Sequence, residues 1–599
     1  MKELWNRIST DVNIETDPPG ATVAVKDYLT PGAPWIQVGQ TPLHKVRFPW
    51  GYSRMRISKP GHETFEFAHQ VQGEVSPDLK LTLEPAGTWP AGMVKVPVRR
   101  FLSAIARIQV LPVTSEFFVD RFEVSNQDFQ KFVDAGGYRD RRFWKHEFVK
   151  DGRKLSWKEA SHLLVDATDQ PGPSTWEAGR FPAGKGDLPV TGVSWYEAAA
   201  YAEFAGKSLP TVSHWYAASY PGMAPAVIRL SNFDNVGLSA PGKYQGISAG
   251  GAFDMGGNAK EWCWNADGEK RYIQGGSWRD QPYQFANLDA QAPFDRKPDN
   301  GFRCVRYLSQ PDESYFAPLR PSDRDYTREK PVSDDVFRGF QALYTYEHRD
   351  PEGRIDSLDG SSPDWIQQRV SYDAGHGNER MPAVLFLPRN ATPPFQVVTY
   401  FPGSGVFLYP DSRRYLVAFY QLDYLIRGGR AVIYPVYEGT YERRTPQRLS
   451  EMQFRDREID WSKEVERTLD YLETRKDIDA ARMAFLGFSV GARPAVRLAE
   501  RFKTCLILSG GLNPTPYAPE VDSINFAPRM KLPTLLLNGR YDFSFPLEDF
   551  QLPLFRLLGA PDKDKKFVLL EYAHNVGALP NQMRREVLAW LDRYLGPVK

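Results

Sequence analysis

Cysteine is almost missing from this chain, with 3 among 599 residues, Cys263, Cys304 and Cys505. Three cysteines build no disulfide framework, and without a CxxC pair there is no zinc-ribbon signature. The compartment stays open, because a chain this long buries cores large enough to need no staples. Long apolar runs are also missing, and none approaches the roughly 18 residues of a membrane-spanning helix. The first residues, MKELWNRISTDVNIETD, lack the apolar stretch and cleavage site of a secretory signal. The reading is a soluble chain, extracytoplasmic if it is a piece of a membrane-tethered parent and otherwise cytoplasmic. A surplus of one charge is the third absence: 75 Lys+Arg against 74 Asp+Glu leave +1. That balance argues against nucleic acid or anionic membrane as the main partner. What is present is ordinary globular material, 42% hydrophobic and 25% charged. At about 150 residues per domain the length allows roughly four domains, which the motifs reduce to three.

Residues 10–86 read as a small β-sandwich. Short alternating runs such as Ala21 to Val25 and Arg54 to Ser58 are separated by turns such as Asp17-Pro18-Pro19-Gly20 and Lys59-Pro60-Gly61. DPPGATVAV, VGQTPL and MRISKPGHETF in that order resemble a PEGA domain. No nucleophile–base pair stands out here, and the expected role is a spacer.

Residues 90–308 are rich in Trp, Gly and Asn. Helices are expected over Asn126 to Ala135, with Ser125 as N-cap, and over Trp195 to Ala205, with Ser194 as N-cap. FEVSNQDFQKFVDAGGY, PVTGVSWYEAAAYAEFAGKSLPT, GAFDMGGNAKEW, GGSW and GFRCVR follow in the order of formylglycine-generating enzymes, which this section resembles. The resemblance implies a C-type-lectin-like α+β fold with little regular structure. It also implies copper held by two cysteines just after GGSW. Those positions fall on Asp280 and Phe285, and neither supplies the soft thiolate that copper(I) prefers. No copper is expected, and the section becomes a scaffold or substrate-binding module. The family's calcium site falls on Asp254, Gly257, Ala259 and Glu261, whose carboxylates and carbonyls suit a hard cation. The competing reading pairs Glu261 with a neighbouring Arg or Lys.

Residues 309–335, Pro-rich and charged, read as a linker. From 336 to 599 strands alternate with amphipathic helices, which predicts an α/β doubly wound, mostly parallel sheet. The strands expected are Gln367–Tyr372, Ala383–Leu387, Val397–Phe401, Ala431–Val436, Met483–Gly487, Thr504–Leu508, Thr534–Leu537 and Phe567–Leu570. The helices are Arg413–Ile426, Trp461–Thr474, Arg493–Phe502 and Gln582–Tyr594.

The chemistry concentrates in this last section. Gly487-Phe488-Ser489-Val490-Gly491 lies between an apolar strand and a helical run, the context of a nucleophile elbow. A serine hydroxyl needs a base, and His574 is the one histidine downstream of Ser489. Asp542, after the strand Thr534–Leu537, is the acid expected to orient it, with Glu548 and Asp549 as competitors near a helix start. The oxyanion hole is expected from the backbone N–H of Val490 and that of Ser404 in Pro402-Gly403-Ser404-Gly405. Gly403, Glu438 and Arg443 are candidate substrate contacts, Glu438 and Arg443 through a polar part of the substrate.

This section resembles serine α/β-hydrolases of the dienelactone hydrolase and acetyl xylan esterase type, with serine in place of the dienelactone hydrolase cysteine. The three-part order also resembles the C-terminal portion of some bacterial serine/threonine kinases. No Gly-rich loop with VAIK, no HRD and no DFG is present. The expected function is serine carboxylic-ester hydrolysis on a small or carbohydrate ester, without a catalytic cofactor. Alternatives are a non-enzymatic sensor module, a peptidase of the same fold, and a formylglycine-type oxidase.

Overall fold

The computed structural model describes residues 5, 9–71, 78–98, 108, 110–321, 324–407, 410–413, 422–444, 449–498, 501–576 and 580–598. The chain divides into two compact units, Met1–Pro321 and Ser322–Lys599.

The first unit opens with two small sheets. One has the strand order Leu43–Pro49, Ser9–Asp17, Leu79–Thr82; the other has Ile36–Gln40, Thr22–Asp27, Gly51–Ser58, Phe65–Val71. Alternate residues Val12, Ile14, Val23, Met55, Ile57, Phe65 and Phe67 turn inward and form one core between them. This sandwich is no free spacer. Tyr28 donates its hydroxyl to the carbonyl of Ile247 at 2.6 Å, and the Ala68 amide bonds the carbonyl of Ser248 at 2.9 Å. A Cβ on Gly251 would come within 2.8 Å of the Glu66 carbonyl oxygen, so the two backbones are in contact there.

The remainder of the first unit carries the two expected helices, Asn126–Asp134 and Trp195–Phe204. Ser125 caps the first, and Ser194 with Glu197 forms a capping box on the second. Both helices pack on an aromatic core that includes Phe129, Phe132, Trp176, Trp195 and Trp262. Short strands and long loops wrap this core. Trp and Tyr hold such irregular backbone because they fill space and hydrogen-bond as well; Trp262 Nε1, for example, donates to the Val193 carbonyl at 2.9 Å.

The expected linker is held at both ends. Tyr315 Oη donates to the Pro112 carbonyl at 2.6 Å, and the Leu319 amide to that of Ala266 at 2.8 Å. Within the second unit, Arg324 pairs with Asp522 at 2.6 Å and Tyr326 donates to the Asn513 carbonyl at 2.6 Å.

The second unit is built on a nine-stranded sheet in the order 354–359, 365–373, 380–388, 431–435, 395–401, 478–488, 504–508, 534–539, 565–570. The first three pairings are antiparallel, and from 431–435 onward all are parallel. Strands 395–401, 431–435, 504–508 and 534–539 are buried along their whole length. Helices cover both faces, so these strands read as continuous apolar runs without alternation. All eight expected strands exist.

The helices differ more from expectation. The one expected from Trp461 runs over Glu451–Glu473, with Ser450 and Gln453 as a capping box. The one expected over Arg493–Phe502 is helical at Ala492–Ala495 alone among the described residues, and 499–500 lie outside them. The one expected over Arg413–Ile426 is seen as Asp423–Arg427, and 414–421 lie outside the described residues. Among the described residues no helix is long and apolar enough to cross a membrane.

Candidate active site

The strand Ile478–Phe488 ends directly on Ser489, which adopts φ +53° and is buried. A non-glycine residue in the left-handed region is strained, and such strain persists where the surroundings over-determine it. The flanking glycines show how. A Cβ on Gly487 would lie 2.2 Å from the Gly491 carbonyl oxygen, and one on Gly491 would lie 2.5 Å from the Phe401 carbonyl oxygen. Backbone cannot yield as a side chain does, so the turn admits only glycine at both positions. It thereby lifts the serine hydroxyl above the C-terminal edge of the sheet.

His574 follows the strand Lys565–Leu570, and Asp542 follows Thr534–Gly539. Ser489 Oγ and His574 Nε2 are 2.7 Å apart, and His574 Nδ1 stands 2.9 Å from each carboxylate oxygen of Asp542. An ionised carboxylate only accepts, so the proton belongs on Nδ1, and Nε2 is left to accept from the serine. Asp542 is buried, and its Oδ1 also accepts the amides of Ser544 at 2.8 Å and Phe545 at 3.0 Å. Phe488, Phe543 and Phe545 surround the imidazole with ring centroids 5.8–6.2 Å away.

The acid and base turns touch through their backbones. A Cβ on Gly539 would lie 2.2 Å from the Ala573 carbonyl oxygen. The amides of Arg540 and Tyr541 bond the carbonyls of Leu570 and Tyr572 at 2.8 and 2.9 Å. Gly539 stands in the run Leu537-Asn538-Gly539-Arg540-Tyr541-Asp542 that carries the acid, where it was not singled out for a role.

Ser404 opens one 3-10 turn, Ser404–Phe407, and Val490 lies in another, Ser489–Gly491. The first amides of any helical turn lack acceptors within it. The two turns meet at Gly403, where a Cβ would be 3.4 Å from Ser489 Cβ and 2.7 Å from the Phe488 ring.

The two charged contacts expected of the substrate separate. Glu438 stands after the strand Ala431–Pro435, and its Oε2 is buried without a hydrogen-bond partner. Burial, with Glu464 next in importance, raises its pKa above the usual carboxylate value. Arg443 is held by acids and a carbonyl, with its Nε left without a partner. It pairs with Glu464 at 2.5 Å and Glu379 at 2.9 Å, and donates to the Val436 carbonyl at 2.9 Å. Among the described residues, His376, Glu438 and Asp460 are the one group whose potential metal-ligand atoms all lie within 4.8 Å of one another. Sequence reading missed Phe407, Arg457 and Trp461. Phe454, Arg457 and Trp461 recur at i, i+3 and i+7 of one helix, the spacing of a shared face.

In the first unit the two acids among the four expected calcium positions are placed differently. Glu261 Oε1 accepts from Arg303 Nη2 at 2.6 Å, and its Oε2 accepts from Arg303 Nε at 2.8 Å and Trp215 Nε1 at 2.7 Å. The carboxylate is therefore occupied by a guanidinium, as the competing reading had it. Asp254 keeps one buried oxygen without a partner. Gly257 approaches so closely that a Cβ would lie 2.3 Å from the Asn232 carbonyl oxygen, and Ala259 is wholly buried. At the copper positions, Asp280 accepts from the Ser277 amide at 2.9 Å, and Phe285 is buried against Trp215 with centroids 6.2 Å apart.

The sheet order and the strand–elbow geometry define the second unit as an α/β-hydrolase fold, preceded in the same chain by a β-sandwich and a loop-rich α+β domain. Those two domains have models of their own. Residues 9–86 match the PEGA domain, and residues 90–308 match the sulfatase-modifying factor enzyme 1-like domain. The formylglycine-generating enzyme of Thermomonospora curvata is 26% identical over 258 residues, covering 32% of this chain and 82% of that enzyme. The serine/threonine-protein kinase pkn1 of Chlamydia pneumoniae is 23% identical over 227 residues, covering 33% of this chain and 34% of the kinase. Among solved structures, an acetyl xylan esterase from Paenibacillus sp. R4 aligns with 45% of this chain and 98% of its own, at 18% identity and a TM-score of 0.36.

Proposed function

We propose that residues 322–599 form a serine carboxylic-ester hydrolase, and the hydrogen-bonded series Ser489–His574–Asp542 carries that reading. Ser489 Oγ attacks the ester carbonyl while His574 Nε2 takes its proton. Asp542 holds the imidazole in the required tautomer and stabilises the imidazolium. The amides of Val490 and Ser404 receive the developing oxyanion. Collapse of the tetrahedral adduct breaks the bond to the alcohol, which leaves with the proton from His574. Water, activated by the same histidine, then releases the acid and restores the serine. No step calls for a cofactor. Small-molecule or acylated carbohydrate esters are the proposed substrates.

The middle domain is proposed as scaffold or substrate-binding module. Asp280 and Phe285 offer no thiolate, and Cys263 and Cys304 are buried, with burial pushing both thiols well up from their ordinary range. The decisive experiment is Ser489→Ala in the full chain. It should lower kcat on a 4-nitrophenyl ester by about 10⁴-fold or more and abolish fluorophosphonate labelling without changing the circular dichroism spectrum. Undiminished turnover in that variant rejects the assignment.

A further inference from the structure

The helix Glu451–Glu473 presents several arginine partners to the site but leaves one cation unmatched. Glu458 is taken by Arg493, at 2.7 Å, and by Arg497. Arg455 pairs with Asp456 at 2.6 Å, and Arg467 with Asp470 at 3.0 Å. Arg457 makes no hydrogen bond or ion pair among the described residues, and its Nε is a buried donor without an acceptor. A guanidinium has five N–H donors, no acceptor and a charge it cannot lose. Half-buried and unpaired, it is in an unfavourable state unless an anion comes to it.

Its surroundings fix where that anion would come. The guanidinium lies over the rings of Trp461, Phe454 and Phe407, with distances of 5.0, 5.4 and 5.7 Å to the centroids. Stacking on rings neutralises part of the charge yet satisfies none of the in-plane N–H groups. On the other side the turn after Ala431–Pro435 presses against it, since a Cβ on Gly439 would lie 3.2 Å from Arg457 Cδ. Phe407 ends the turn that Ser404 opens, so Arg457 adjoins one half of the expected oxyanion hole. Arg493, four residues past Ser489, lies over the same Phe454 and Trp461 rings at 5.6 and 5.7 Å. The unpaired cation thus shares one ring, Phe407, with the turn that Ser404 opens, and two, Phe454 and Trp461, with the arginine four residues past Ser489.

We propose that Arg457 sets specificity for esters that carry a carboxylate, binding it through paired guanidinium N–H groups while Trp461 and Phe407 pack on its carbon skeleton. The inference rests on the ester-hydrolase reading and narrows it. A planar fork matches a carboxylate in two parallel hydrogen bonds, which a lysine cannot reproduce. The carboxylate undergoes no chemistry; it positions the ester group before Ser489. It can belong to the acyl part, as in a dicarboxylic acid half-ester, or to the alcohol part, as in an acylated uronic acid.

Matched pairs in the full chain test this. One pair is 4-nitrophenyl hemisuccinate against 4-nitrophenyl butyrate, with the charge in the acyl part. The other is an acetylated glucuronate against the same acetylated glucose, with the charge in the alcohol. The expected result is a kcat/KM preference for the charged member of one pair, carried mainly by KM. Arg457→Gln should reduce the charged-to-neutral ratio by about 10- to 100-fold, and Arg457→Lys should restore only part of it. The preference should shrink in high salt. A wild-type chain that prefers neither charged ester, or an Arg457→Gln variant whose ratio is unmoved because both members fall alike, overturns the inference. In those outcomes the wild-type chain still turns over the butyrate ester through Ser489. Loss of the hydrolase reading looks different: no ester is turned over, or turnover survives Ser489→Ala.

Discussion

At the residue scale, the same side-chain types do opposite work in the two units, and the difference lies in what meets them. Arg303 in the first unit is wholly buried, and every polar atom it offers is used. Its three nitrogens reach both oxygens of Glu261 and the carbonyls of Asp120 and Phe253. Removing it leaves Glu261 buried and unpaired, so Arg303→Met should destabilise the first unit by about 3–5 kcal/mol in chemical unfolding. Arg443 in the second unit pairs its two terminal nitrogens with glutamates and leaves Nε without a partner, whereas Arg457 has no ion pair at all among the described residues. Sequence alone cannot distinguish these arginines, because the partner carboxylates lie far away in the chain. The serine, histidine and aspartate were legible for the contrary reason: each follows a strand whose end is an apolar run, and strand order brings their turns to one edge.

A histidine outside the site gives a second residue-scale prediction. His214 is buried against Phe117, Tyr307 and Tyr315, and burial alone pushes its pKa down to about 4. The unfolded chain binds that proton near the ordinary value of 6.5. The folded state therefore carries fewer protons between those values, and the stabilisation is complete above pH 6.5 and lost as pH falls toward 4. Thermal unfolding followed from pH 7.5 to 4.5 should show the first unit losing stability, of the order of a few kcal/mol. The loss should be smaller in His214→Gln.

At the element scale, the elbow depends on close backbone approach. Gly491→Ala would place a methyl group 2.5 Å from the Phe401 carbonyl oxygen. Its φ is ordinary, so the objection is space and not conformation. The strand 395–401 must retreat, taking the oxyanion loop with it, and kcat should fall by about 100-fold or more. Steady-state kinetics on a neutral ester together with the melting temperature check this, since a loss of rate beyond the loss of fold is expected.

Elements buried on both faces were readable from their apolar runs. The strand 354–359 was not, because each of its residues is exposed and no alternation marks it. The front half of the long helix was hidden as well. Its inward positions include Glu458, a charged residue that reads as solvent-facing until Arg493 and Arg497 are seen to pair with it. Past the elbow a helix is expected over Arg493–Phe502, yet among the described residues four are helical, Ala492–Ala495. Arg497 is drawn to Glu458 there, a long-range pairing that local propensity does not encode.

At the scale of the whole molecule, the three domains inferred from motifs become two compact units, because the β-sandwich and the loop-rich domain share one. Calorimetry of the full chain should show two transitions. The one assigned to the first unit should respond to Arg303→Met and to acid, and neither should move with Ser489→Ala. A single transition that shifts as a whole in Arg303→Met would refute that independence. The near-zero net charge remains informative but coarse: it speaks against polyanionic partners and says nothing about a single half-buried guanidinium.

The backbone contact at Gly539 has a mechanical consequence. Because Arg540 and Tyr541 are stapled to the carbonyls of Leu570 and Tyr572, the turns that bear Asp542 and His574 form one rigid bracket. Thermal motion between neighbouring strands must break two amide hydrogen bonds before it can stretch the imidazole–carboxylate contact. The serine sits on a separate strand with no such tie to the bracket among the described contacts. Breathing of the site should therefore open the serine–imidazole gap first, so the half of the relay that must reset with each turnover is also the half left free to move.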